Sequence, residues 1–272
     1  MSHYYYKTMK YITITSSNVA KYTGHNKYET IEKVVNELLS KNGIKDVYVP
    51  KSNIEEKIVG LKEEQLSKLK VELGLPTEST TLQVENHIKS TIMKNSYSSS
   101  LTEGESKQNV DKQLADKPLT NQLISQGIKQ DLRMRRGNIK EEKNLDKIQA
   151  TKKIKIDQRN SRMYTKELYR CDDYVIVLRG KVDGHSTGDD GEGTVIESKN
   201  RTRKLFMELR SYERVQLECY MFLTGYNRAL LTEHYNETEN CIEYSHDSEF
   251  WEMCLKNIVK FMDTHIKPCL VE

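Results

Sequence analysis

An aspartate at the end of one apolar run, and a glutamate and a lysine two residues apart at the end of the next, have the types and spacing to do chemistry. The first run, from Tyr174 to Val182, leads into Asp183-Gly184; the second, Thr194-Val195-Ile196, leads into Glu197-Ser198-Lys199. Both runs are bounded by Gly and Asp and read as consecutive buried strands, with a turn over residues 185–192 between them. On a strand of period two, Glu197 and Lys199 point to the same side of the sheet. Burying two carboxylates and an ammonium together is unfavourable unless they are paired or hold a metal. The pattern predicts a divalent ion gripped by Asp183 and Glu197 with Lys199 beside it. Glu-x-Lys alone is too short to separate this from a solvated ion pair on a strand edge.

The whole arrangement, Asp-Gly closing one apolar strand and Glu-x-Lys closing the next, resembles the core of the PD-(D/E)xK nuclease superfamily, with Val182 where that name has proline. The resemblance implies an α/β (α+β) fold of the restriction-endonuclease-like type, a mixed central β-sheet flanked by helices, here with a helical insertion. It implies phosphodiester hydrolysis with Mg²⁺ as cofactor, for which Mn²⁺ can substitute. Arg135-Arg136-Gly137-Asn138-Ile139-Lys140-Glu141 is similar to the family's first motif and implies Glu141 as a third carboxylate. Gln216 and Tyr220, four apart and so on one helix face, match a Gln-x-x-x-Tyr pair whose glutamine reaches the active site. The implied metal set is Glu141, Asp183, Glu197 and the Ser198 carbonyl. Lys199 would orient the attacking water and balance transition-state charge, with Gln216 positioning either of them.

A hydroxyl-rich start to a short helix, Thr15-Ser16-Ser17, and the following Gly24-His25-Asn26-Lys27-Tyr28 resemble the entry of the YqaJ-type viral recombinase and phage lambda exonuclease branch. There the serine helps to bind a DNA phosphate, which falls on Ser17, and an upstream basic residue falls on Lys10. Arg136, Arg201 and Arg203 would complete the phosphate grip, setting register without reading bases. Gly137 lies in a helical pattern, where glycine costs about 1 kcal/mol against alanine, so close approach of a DNA backbone is expected there. The branch implies digestion of one strand of duplex DNA from a free end in recombination, replication or repair, often as a homo-oligomeric ring and beside a recombination partner protein. The same core also occurs in structure-specific DNA endonucleases and viral RNA endonucleases. A protein that only binds nucleic acid is the reading from another class.

The elements that must position these residues follow from periodicity. Apolar residues at helical spacing predict helices over 29–42, from 121 through Ile148, over 201–224 and over 250–265; strands are predicted within 154–169 and over 229–235. Leu61 to Ile88 reads as helix, tight turn, helix, resembling a SAP-type DNA-binding hairpin but also matching a generic helical hairpin. The expected organisation is an N-terminal helical part over 1–43, a helical insertion over 44–95, a mobile polar linker over 96–119 and the nuclease core over 120–272.

Lys and Arg total 43 against 40 Asp and Glu, so any phosphate-binding surface must come from local clustering. Hydrophobic content of 36% is low for a globular chain, so part of the sequence is expected outside the core. Five scattered cysteines without a C-x-x-C pair argue for reduced thiols in an intracellular setting and against an iron–sulfur cluster. No apolar run is long enough to span a membrane.

Overall fold

The structure, a computed structural model, describes residues 9–26, 28–98, 100–116, 119, 121–188 and 190–270. Lys27 of the expected Gly-x-Asn-x-Tyr turn, the first eight residues and Thr120, the expected start of the core, lie outside them. The chain is a mixed α/β protein whose strands form two hydrogen-bonded ladders. In the first, β3 (Tyr174–Lys181) lies between β1 (Lys10–Thr15), to which it is parallel, and β2 (Met163–Arg170), to which it is antiparallel. In the second, β4 (Gly184–Thr187), β5 (Gly193–Asn200), β6 (Arg228–Tyr235) and β7 (Thr238–Ser245) follow in that order, with β5 and β6 parallel and the outer pairs antiparallel.

Val182 and Asp183 are the step from one ladder to the other. The turn expected over 185–192 is shorter, because residues 184–187 pair with β5; after them Gly188 N donates to the Glu192 carbonyl at 3.0 Å and Gly191 takes φ 79°. Strand β3 is apolar on both faces because both faces are covered, and Tyr174, Val175, Ile176 and Leu178 are fully buried. Helix α8 (Ser211–Thr224) packs on it, and α1 (Val19–Tyr22), α2 (Ile31–Lys41) and α9 (Ser248–Phe261) complete that core.

Two expected boundaries move. Residues 201–210 are a loop and not the first turns of α8. The buried Glu233 carboxylate on β6 takes the backbone N–H groups of Phe206 (3.2 Å) and Met207 (2.9 Å), which a helix would need for itself, and Met207 adopts φ 62°. Strand β1 stands where only a helix start was expected, its Ile12 and Ile14 alternating inward.

The insertion is built from α3 (Asn53–Val59), α4 (Glu63–Glu72), α5 (Thr81–Thr91) and α6 (Glu103–Asp116), with an apolar cluster of its own that includes Ile54, Ile58, Leu69, Val84 and Ile88. Helix α6 occupies most of the stretch expected as a mobile polar linker. Its buried Val110 and half-buried Leu114 dock it on that cluster, enough to order a helix whose other side chains are polar.

Helix α7 (Gln122–Lys152) joins the two parts. Asn121 caps it, its Oδ1 accepting from Leu123 N at 2.9 Å. Ile124, Ile128 and Leu132 belong to the insertion's cluster, whereas Leu145 and Ile148 pack with Ile156, Ile196 and Leu230 against the second ladder. At 1.5 Å per residue the helix is roughly 46 Å long, and Gly137 and Glu141 lie between its two docked ends. No helix among the described residues is long and apolar enough to cross a membrane, and none of the five cysteines is in a disulfide.

No atom outside its own turn lies within 4 Å of where a Gly137 Cβ would stand, so the fold does not require glycine there. Gly137→Ala is expected to raise the free energy of unfolding by ~1 kcal/mol, read by urea denaturation followed by circular dichroism. Destabilisation instead would mean that α7 depends on a bend at this residue.

Candidate active site

The three carboxylates, Lys199 and Gln216 predicted from sequence come from α7, β5, α8 and the connection before β4, and meet at the step between the ladders. The pairing of β4 with β5 ends at Gly184↔Ile196, so the edge of β5 beyond Ile196 is open to the residue before β4. Asp183 fills it, its Oδ2 accepting from Ser198 N at 2.7 Å. Because the N–H and C=O of one strand residue face the same edge, the Ser198 carbonyl is directed to the Asp183 side as well. Glu197 and Lys199 share a face of β5, with Lys199 Nζ 2.5 Å from Glu197 Oε1. From α8, Gln216 accepts from Lys199 Nζ at 3.0 Å and donates to Glu197 Oε1 at 3.1 Å and to the Tyr220 hydroxyl at 2.8 Å. Glu141 reaches in from α7 to Asp183, and Asn160 Nδ2 donates to its Oε1.

The electrostatics are those of acids crowded out of water. Asp183 and Glu197 are buried, at 8% and 3% exposure. Burial first, then the charges of Glu197 and Glu141, push the Asp183 carboxyl well above the usual aspartate range. Burial and the Glu197 charge likewise raise Glu141. For Lys199, burial opposes the ammonium form, but Glu197 and Asp183 outweigh it and hold the lysine above its ordinary value. Three carboxylates face one ammonium, and Glu197 Oε2 is buried without a hydrogen-bond partner. An orphaned acceptor and a surplus of acidic oxygens fit a cation. Among the described residues, however, no three acidic, imidazole or thiol groups already stand as a formed metal cage. Each carboxylate is tied to a donor of the protein itself: Glu141 to Asn160, Asp183 to Ser198 N, Glu197 to Lys199.

The expected phosphate contacts separate into two groups. Ser17 is exposed just beyond the end of β1, beside the end of β3 that runs into Asp183. Arg203 is exposed on the loop after β5. Lys10 starts β1 opposite Tyr174, at the far end of β3; at ~3.3 Å per residue that is roughly 25 Å from the Asp183 end. Arg136 is fully buried and donates to the carbonyls of Ser98, at 2.7 Å, and Leu101. Arg201 pairs with the buried Glu213 and Glu233, both at 2.6 Å, and stacks on Phe206. Lys10, Arg136 and Arg201 therefore do not present free cations to the carboxylate cluster.

Two residues near the site were not expected from sequence. Asn160, at φ 43°, donates its backbone N–H to the Asp183 carbonyl at 3.1 Å and its side chain to Glu141, so it joins α7 to the ladder step. The signal available was an Asn between helix and strand, since asparagine tolerates the left-handed region. Lys181, exposed at the end of β3, is close enough to Glu141 for its charge to favour the carboxylate.

No protein-family model matches the chain, and no curated protein matches it. Among solved structures it is similar to SSO0001, with a TM-score of 0.36, 12% identity, and coverage of 47% of this chain and 57% of that one. It is also similar to an alkaline exonuclease, LHK-Exo, from Laribacter hongkongensis, with a TM-score of 0.40, 14% identity, and coverage of 63% and 85%. For LHK-Exo in complex with dAMP the TM-score is 0.38, the identity 10% and the coverage 79% and 92%. Likenesses at this level assign neither activity nor substrate to this chain.

Asp183 keeps its proton over a pH range in which an unfolded aspartate, at about 3.9, has lost it. The folded chain then binds more protons than the unfolded one, so stability falls as pH rises through that range. Asp183→Asn retains an acceptor for Ser198 N and cannot ionise. In chelator it is expected to melt several degrees higher than wild type at about pH 8, with the difference vanishing near pH 4, where both side chains are neutral. A difference that does not change with pH, by scanning calorimetry, would refute the desolvated cluster.

Proposed function

We propose that this protein is a divalent-metal-dependent deoxyribonuclease that hydrolyses phosphodiester bonds of duplex DNA from an end. The observation that carries the reading is the meeting of Glu141, Asp183 and Glu197 around one lysine, with Glu197 Oε2 left without a partner. Glu141, Asp183, Glu197 and the Ser198 carbonyl would hold the ion, and an all-oxygen set suits Mg²⁺, with Mn²⁺ as substitute. The ion would supply Lewis acidity toward the phosphate and a lowered pKa for a water.

The remaining roles belong to side chains already in place. Lys199 stays protonated because Glu197 beside it holds its charge against burial, so its ammonium is ready for negative charge that builds on the phosphate oxygens. Gln216 fixes Lys199 and Glu197 in register, and Tyr220 fixes the Gln216 amide from behind. Ser17, exposed beside the Asp183 end of the first ladder, would take a phosphate at a strand end. Arg203 and Lys181 are the exposed cations that flank the cluster along the chain.

The test is incubation with end-labelled linear duplex, single strand, sealed circular duplex and RNA, each with Mg²⁺, Mn²⁺ or chelator. Linear duplex is expected to be degraded with either metal, circles to survive, and chelator to stop the reaction. Glu197→Ala is expected to abolish cleavage, and Lys199→Ala to slow it ~10²- to 10³-fold with metal affinity retained. Cleavage of circles at the linear rate would make it an endonuclease. Undiminished cleavage by Glu197→Ala would remove this site from the chemistry.

A further inference from the structure

Where the insertion meets the core, α6, α7 and the loop after β5 enclose a cavity of about 170 Å³ into which five cations converge: Lys107, Lys129, Arg133, Arg136 and Arg203. Lys129 is paired with Asp111 at 2.7 Å. Lys107, Arg133 and Arg203 are exposed. Glu105, the carboxylate that feels the charge of Arg136, is committed to capping α6 through Thr102 N and Oγ1, at 2.6 and 2.8 Å. Gathering like charges in one cavity is unfavourable unless an anion offsets them.

The second, independent observation is Arg136. It is fully buried in the wall of the cavity, and its terminal nitrogens are satisfied by the Ser98 and Leu101 carbonyls. Its Nε–H has no acceptor, an unfavourable state for a buried donor. A small anion in the cavity would offset the surrounding cations and lie against the wall that holds this unpartnered donor. Guanidinium and ammonium groups lining one cavity suit a phosphate and carry no preference for a base.

The cavity is tied to the carboxylate cluster along both of its walls. Arg136 precedes Glu141 by five residues on α7, roughly 7.5 Å along the axis, and Arg203 follows Lys199 by four on the chain leaving β5. We propose that this cavity is a second phosphate site, separate from the carboxylates, which holds a phosphate of the nucleic-acid strand. The insertion thereby contributes to substrate binding through Lys107 on α6. The assignment of the strand as ligand rests on the nuclease reading; the anion site itself does not.

The experiment measures binding by fluorescence anisotropy in chelator, so that no cleavage enters. Wild type, Lys107→Gln/Arg133→Gln and, on the opposite wall, Arg203→Gln are compared on 5′-phosphorylated duplex, 5′-hydroxyl duplex and duplex sealed by hairpins at both ends. All three altered residues are exposed, and circular dichroism confirms the fold. The double variant is expected to bind about tenfold or more weakly, with a salt slope shallower by about 1 to 2. A loss confined to the 5′-phosphorylated duplex identifies a terminal phosphate, and an equal loss on all three an internal phosphodiester; either supports the site. Unchanged affinity and slope in both folded variants would overturn it, as would absence of DNA binding by wild type. Variant-sensitive binding by a wild-type protein that cleaves nothing with Mg²⁺ or Mn²⁺ would keep the anion site and remove the nuclease reading.

Discussion

Mutual repulsion of three carboxylates kept from water at one strand junction is the constraint on which the rest of the structure depends. Glu141, Asp183 and Glu197 can stand together only because each has a donor of its own and because Lys199 supplies one positive charge among them. Those donors come from separate places in the chain. Ser198 N is available because β4 stops pairing with β5 at Ile196. Asn160 is available because residues 154–160 fold back on α7, where Ile156 packs with Leu145 and Ile148 and Arg159 reaches Glu142 and Asp146. Gln216 is available because α8 packs across β3 and β5. The junction is thus the point at which two ladders and two helices are fixed to one another.

Helix α7 carries the consequence outward. One end belongs to the apolar cluster of the insertion and the other to the second ladder, with Glu141 between them. A helix held at both ends brings Glu141 to the junction, where Asn160 and Asp183 hold its side chain. The middle of α7 also holds Tyr97, on which Arg135 stacks, and Ser98 and Leu101, to which Arg136 is bonded. The insertion is therefore physically continuous with the helix that delivers a carboxylate to the site, and displacement of one would be felt by the other.

The cluster was legible in the sequence because its signals are local. A strand buried on both faces is an apolar run, and residues two apart on it share a face, so Asp183, Glu197 and Lys199 could be placed before any coordinates. Glu141, Gln216 and Tyr220 followed from helical spacing together with family resemblance. What was not legible depends on distant partners. Leu205 and Leu209 continue the period of α8, yet Glu233 captures the amides of Phe206 and Met207 from another strand. Arg136 reads as a surface cation until the Ser98 and Leu101 carbonyls take its terminal nitrogens. Helix α6 has so few apolar anchors that its composition matches a linker, and only docking of Val110 distinguishes the two. Strand β1 is six residues long, and its inward Ile12 and Ile14 were too few for the alternation to outweigh the hydroxyl cluster that follows.

The central claim is that the crowded carboxylates form a cation site in which Asp183 is held toward its protonated form until an ion displaces the proton. Calorimetric titration of the purified protein with Mn²⁺ at neutral pH, in two buffers of different ionisation enthalpy, tests it directly. The account predicts saturable binding whose heat differs between the buffers, because Asp183, which burial and its acidic neighbours hold toward the protonated form, gives up its proton on loading, and loss of that binding in Glu197→Ala. Absence of saturable binding, or binding that survives Glu197→Ala unchanged, would contradict it.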